Sequence, residues 1–154
     1  MFKIDERLFH SVAVFSDCLV WLAPCTPEGM TQQADDLKKR TKQFALDVIR
    51  FVRTLANTEE ARAIGRQLLR SGPGVASNYR SACRARSRAE FVARIGVALE
   101  EADESALWFE ILTESAISRT RDAFRLLQES DELSAIFAAS SITAKASLAR
   151  SERS

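Results

Sequence analysis

Arg62, Arg66 and Arg70 stand at i, i+4 and i+8, a spacing that sets three guanidinium groups on one face of a helix. Arg80, Arg84 and Arg88 repeat the spacing further along the chain. A planar guanidinium fork matches phosphate oxygens. A row of such forks meets a nucleic-acid backbone in a low-specificity, salt-sensitive contact driven by counterion release. The same arginines also have acidic candidates within the chain. Residues 61–94 hold eight arginines against one acid, Glu90, whereas residues 95–118 hold six acids and no base. Pairing with Glu100, Glu101, Asp103 and Glu104, inside the fold or across a subunit contact, is therefore the competing reading, because charge runs are usually solvated or paired faces. Which one applies depends on whether acids neighbour the guanidinium groups in the folded chain.

Other chemistry has fewer of its necessary parts. Cys83 lies among Arg80, Arg84 and Arg86, cations that favour a thiolate and so a nucleophile. With no histidine nearby in sequence, it reads more simply as a small packing residue. A di-iron site in a helical bundle needs Glu-x-x-His pairs on facing helices, and the single histidine, His10, lies outside the helical pattern. No metal or cofactor is expected, and neither a Ser/His/Asp set nor a phosphate-binding glycine loop is present. Cys18, Cys25 and Cys83 lack C-x-x-C spacing and are odd in number, which argues against a disulfide framework or zinc site and points to a reducing cytoplasm. Leu-Ala-Pro-Cys25 matches a lipoprotein signal poorly, given Asp17 in the apolar stretch, Pro24 beside the cysteine, and acids at 5 and 6. No charge-free run of about 18 apolar residues exists, so no membrane span is expected.

The elements that must position these groups follow from apolar periodicity. Leu37, Thr41, Phe44, Val48, Phe51 and Leu55 alternate steps of four and three, the seam of a first helix ending near Asn57-Thr58. Thr58 caps a second helix with Glu59 and Glu60 in its first turn, and its seam is Ile64, Leu68, Ser71, Val75, Asn78 and Ala82. Pro73 removes a donor and crowds the Leu69 carbonyl. The period keeps phase across it, which favours one helix kinked near Gly72-Pro73 over two separate helices. Ser87-x-x-Glu90 is a capping box that opens a third helix, with Phe91, Ile95, Ala98, Ala102, Ser105, Phe109 and Leu112 as its seam. A fourth runs from about Arg121 to Leu148 through Leu126, Ser130, Leu133, Phe137, Ser140 and Ala144.

The predicted architecture is all-α, an antiparallel up-and-down four-helix bundle over residues 31–150. Residues 1–30 lack a sustained period, and Pro24–Met30 reads as a loop. That segment is expected to be an extension outside the bundle, dispensable or preceding a start at Met30, or else a short extra helix laid on it. Asn78 falls on the apolar seam of the second helix and is expected to be a structural polar residue, either a satisfied core amide or one that fixes register through Glu101 or Ser105. Leu107, Trp108 and Ile111 lie off the seam of the third helix. They give it a second apolar surface, expected to be an interface between copies.

Asn78-Tyr-Arg-Ser-Ala82, Ser87-x-x-Glu90-Phe91, Leu99-Glu-Glu-Ala-Asp-Glu-Ser105 and Trp108-Phe109 resemble the four-helix-bundle family that includes proteins encoded in intervening sequences of bacterial 23S rRNA genes. The resemblance covers about residues 37–148, and the family's Asn-Ile-x-Glu-Gly sequence is replaced here by Asn78-Tyr79-Arg80-Ser81-Ala82. The family is similar in fold to the accessory protein of diversity-generating retroelements, a pentameric barrel that binds nucleic acid and a reverse transcriptase. The resemblance implies a homo-oligomer, a pentamer, and contact with RNA or DNA. The expected function is a cytoplasmic, non-enzymatic oligomeric scaffold or adaptor that binds structured RNA through its arginines. An enzyme or enzyme subunit with a site between protomers, near Cys83 or the acidic third helix, is the alternative.

Overall fold

The computed structural model describes residues 27–151, and among them there is no strand. Four helices follow one another: α1 (Pro27–Val52), α2 (Glu59–Ala82), α3 (Arg88–Glu114) and α4 (Arg121–Ser151). Helix α1 begins inside the stretch expected to be a loop. Proline is well suited to a first helical turn, where its missing N–H would have no partner in any case. Residues 1–26, with His10, Cys18 and Cys25 and most of the expected extension, lie outside the described residues.

Local signals set the other helix boundaries. Thr58 is extended at φ −101° and its hydroxyl accepts from the Ala61 N–H at 3.2 Å, opening α2. The helix then runs unbroken through Pro73 to Ala82, as one helix rather than two. The Ser87 half of the expected capping box forms at α3, while Glu90 reaches back one residue beyond the cap. The Ser87 hydroxyl accepts from the Glu90 N–H at 3.1 Å, and the Glu90 carboxylate accepts from the Arg86 N–H at 2.9 Å. Past the end of α3, Ala116 takes the left-handed conformation with φ 61°, and the Arg119 side chain donates to the Thr113 carbonyl at 2.9 Å.

Each helix packs against its neighbour in sequence, and α1 also meets α4. Arg40 of α1 bonds Glu129 and Glu132 of α4, while Asp47, further along α1, meets Arg125, further back along α4. The pairs thus run in opposite order, as they do for α2 and α3 at Arg70–Glu104 and Gly74–Glu101. The seams meet in one core, with Phe44, Val48, Leu68, Val75, Ile95, Phe109, Leu126, Leu133 and Phe137 buried. Phe51 packs edge-on to Phe109 at 5.3 Å between ring centroids.

One seam position differs from expectation. Tyr79, not Asn78, takes the core site, stacked on Phe137 with centroids 5.6 Å apart. Stepping four rather than three residues from Val75 buries a large ring, whereas the same site would make Asn78 find buried partners. Asn78 is half-buried, and its amide donates to the Gly74 carbonyl one turn back at 3.0 Å, with no bond to Glu101 or Ser105. Ser105 reaches Ser71 instead, Oγ to Oγ 2.8 Å, in a buried contact between α2 and α3. Among the described residues no helix is long and apolar enough to cross a membrane.

Candidate nucleic-acid interface

The six arginines singled out by spacing do not share one environment. Helix α2 ends at Ala82, with Cys83 as its cap, so Arg84 lies in the connection and Arg88 opens α3. The second row of i, i+4 spacing is therefore broken, because the Ser87–Glu90 box starts a new helix. Arg88 is half-buried and donates to the Ser147 carbonyl of α4 at 3.3 Å. Arg70 is turned toward α3, where it bonds Glu104 and sits 3.6 Å from Glu101. Internal pairing with α3 acids thus accounts for Arg70.

Arg62, Arg66, Arg80 and Arg84 are exposed and lie toward α1. Arg62 donates to the Asn57 side chain at 3.2 Å. None of the four has an acidic partner among the described residues. Two shallow grooves between α1 and α2 bring them together with other groups. A groove of about 470 Å³ is lined by Lys42, Leu46, Pro73, Ser77, Arg80 and Arg84. Another of about 320 Å³, at the α1–α2 turn, includes Asn57, Arg62, Arg66 and Leu69 in its lining. Neither has an acidic lining residue. Five cations lining grooves that include no acid produce a local positive potential that attracts polyanions and is weakened by salt.

Acids cluster on the α2–α3 and α3–α4 sides instead. Burial pushes the Glu101 carboxyl up, and Glu104 and Glu100 add to the effect, although Arg70 pulls it down. The carboxyl lies against the backbone of α2 at Gly74, where a Cβ would come within 2.7 Å of Glu101 Cδ. Burial acts on Glu104 in the same direction, yet bonds from Arg70 and from the Trp108 indole N–H outweigh it and hold that carboxyl below its ordinary value. On α4, Asp131 is pushed up by burial and by the negative charges of Glu110 and Asp103 across the α3–α4 groove.

Of the three residues expected at a subunit interface, Leu107 is 49% exposed, whereas Trp108 and Ile111 are half-buried against the protomer's own core. Cys83 is half-buried and packs on the core as well. Among the described residues no group of three or more His, Cys, Asp and Glu could hold a metal ion.

Residues 34–139 match the family model described as 23S rRNA-intervening sequence protein. The chain belongs to this family. Among solved structures it is similar to a protein of unknown function from the S23 ribosomal protein family of Bacteroides thetaiotaomicron VPI-5482. The two are 27% identical with a TM-score of 0.62, over 68% of this chain and 93% of the other. No curated protein matches the chain.

In this family member, the spacing of the arginines placed them on α2 but gave no sign of Lys42 beside Arg80 and Arg84. Lys42 was missed because a lone lysine beside a helical seam has no sequence signal; only the approach of α1 to α2 brings it to Arg80 and Arg84. Phe124 and Ile142 were missed too. They are 50% and 68% exposed, off the apolar seam of α4, and could have been found by asking which large apolar residues that seam leaves out.

Proposed function

We propose that this protein is a non-catalytic cytoplasmic scaffold that holds structured RNA by its phosphates on the α1–α2 face. The observation that carries the reading is the acid-free lining of that face, where Lys42, Arg62, Arg66, Arg80 and Arg84 gather without anionic partners. Guanidinium forks and an ammonium recognise phosphate without reading bases, so affinity for structure rather than sequence follows. The second part of the reading is self-association into a homo-oligomer, a ring of five by family resemblance.

The first part is tested by titrating an RNA hairpin at low and moderate salt. Wild type should bind with an affinity that falls steeply with salt, and changing Arg62, Arg66, Arg80 and Arg84 together to Gln should weaken binding and flatten that dependence. Arg70→Gln, at the residue committed to Glu104 and Glu101, should leave it nearly unchanged. Absence of binding at low salt, or indifference to the quadruple change, refutes the assignment. Native mass spectrometry tests the second part, which is refuted if only monomer is found at micromolar concentration.

A further inference from the structure

Arg62, Arg66, Leu69, Pro73, Ser77 and Arg80 stand at steps of four, three, four, four and three, so they form one stripe along α2. Cations hold both ends of the stripe, and its middle is apolar. Arg66 and Arg80 are fourteen residues apart in a single helix, about 21 Å at roughly 1.5 Å per residue. Helix α1 widens the apolar part, adding Leu46 beside Pro73 in one groove and Val52 and Leu55 beside Leu69 in the other. Leu46 and Leu69 are 37% and 43% exposed, so a ligand on this face meets them.

A paired helix presents an unbroken line of phosphates, which would set charged oxygens against Leu46, Leu69 and Pro73 without a partner. An unpaired nucleotide carries both chemistries that the stripe offers. Its phosphate suits a guanidinium or an ammonium, and its base has flat apolar faces that pairing would keep stacked inside a duplex. We propose that the RNA is held by a run of unpaired nucleotides, a loop or bulge, with bases seated in the two α1–α2 grooves over Leu46, Pro73 and Leu69. The flanking phosphates lie on Arg62 and Arg66 at one end and on Lys42, Arg80 and Arg84 at the other. This rests on the RNA reading of the face and names the class of RNA that the face takes. A guanidinium plane also stacks on a base, so arginines at the groove rims serve as walls as well as anchors. Beside the cations, the linings offer one polar side chain each, Asn57 and Ser77, too few to read a sequence by hydrogen bonds. Discrimination between unpaired and paired RNA follows, with little preference among bases.

The test titrates the full chain with two RNAs of equal length and phosphate number. One is a fully paired duplex; the other is the same duplex with about six nucleotides on each strand mismatched into an internal loop, enough to span the interval between the cationic ends. Wild type should bind the looped RNA about tenfold more tightly or better, the gain expected from burying the face of a base on apolar side chains. Leu46→Ser combined with Leu69→Ser removes apolar surface and no charge. That variant should lose the preference, while its affinity for the paired duplex and the salt dependence of that affinity stay as in wild type. Equal affinity of wild type for the two RNAs overturns the proposal and leaves the RNA reading standing. So does a preference that survives in the double variant with its helices intact by circular dichroism. Absence of binding to either RNA at low salt removes the RNA reading and this proposal with it. A readout on wild type decides the matter if the double variant loses its helices. A 2-aminopurine placed in the loop should gain about twofold or more in fluorescence on binding, because aliphatic side chains replace its stacked neighbours, and unchanged fluorescence overturns the proposal.

Discussion

Gly72 and Gly74 flank Pro73 on α2, and replacing each by alanine should change stability in opposite directions. Alanine is favoured over glycine in a helix interior by about 0.8–1.0 kcal/mol, and this gain is available to both. The surroundings differ. At Gly72 the new Cβ would lie 2.9, 3.0 and 3.1 Å from three carbons of Val48, which is fully buried at 0% exposure in the α1 seam. Val48 cannot withdraw without disturbing the core, and overpacking of this kind costs about 1–3 kcal/mol. The Gly72→Ala change would also set a Cβ directly before a proline, where the helical region is disfavoured. At Gly74 the new Cβ would lie 2.7 Å from Glu101 Cδ, but that atom ends a flexible side chain with a solvent route. The carboxylate is poorly solvated where it stands, as its raised pKa shows, so turning it outward costs little. Gly74→Ala should therefore raise stability by about 0.5–1 kcal/mol, and Gly72→Ala should lower it by about 1–2 kcal/mol. Urea unfolding followed by circular dichroism measures both. A Val48→Ala background should relieve part of the Gly72→Ala loss, with a coupling of about 0.5 kcal/mol or more. Gly72→Ala at least as stable as wild type, or Gly74→Ala losing more than about 1 kcal/mol, would show that the assumed rigidity of these contacts is wrong.

Three further outcomes are expected. Glu101 has a raised pKa, so the folded state binds a proton more tightly than the unfolded chain there, and stability falls as pH rises from the ordinary carboxylate range through the raised value. Glu101→Gln should remove that part of the fall and leave the loss on acidification contributed by Glu104, whose pKa is lowered; superimposable urea midpoints from about pH 4 upward would contradict this. Phe137→Ala should cost about 3–5 kcal/mol, because it empties a fully buried site and removes the stack on Tyr79, and a loss under about 1 kcal/mol in urea unfolding would mean the core collapses around it. Ala116→Gly should raise the melting temperature by relieving a left-handed alanine worth about 1 kcal/mol at the end of α3, and a lowered temperature would count against that strain.

Although α1 ends at Val52, short of the expected Asn57-Thr58, helix number, the caps that open α2 and α3 and nearly all of the core were legible in the order of residues alone. These are short-range properties: a Thr58 or Ser87 cap acts within one turn, and a seam such as Ile95, Ala98, Ala102, Ser105, Phe109 is visible because burial demands one apolar face per helix. Local ambiguity appeared where three- and four-residue steps were both open, at Asn78 and Tyr79, and the choice fell to the ring that could stack on Phe137 from another helix. Pairing between elements emerged only when the helices packed. Arg62, Arg66 and Arg70 are equivalent by spacing, yet the rotation of α2 between its neighbours turns Arg70 to Glu104 and leaves the other two toward α1. The same packing joins Lys42 to Arg80 and Arg84, and Asp131 to Asp103 and Glu110, across separations in sequence that no local pattern encodes. A charge on a helix is legible from its periodicity, but the sign of the face it joins is set by the helix packed beside it.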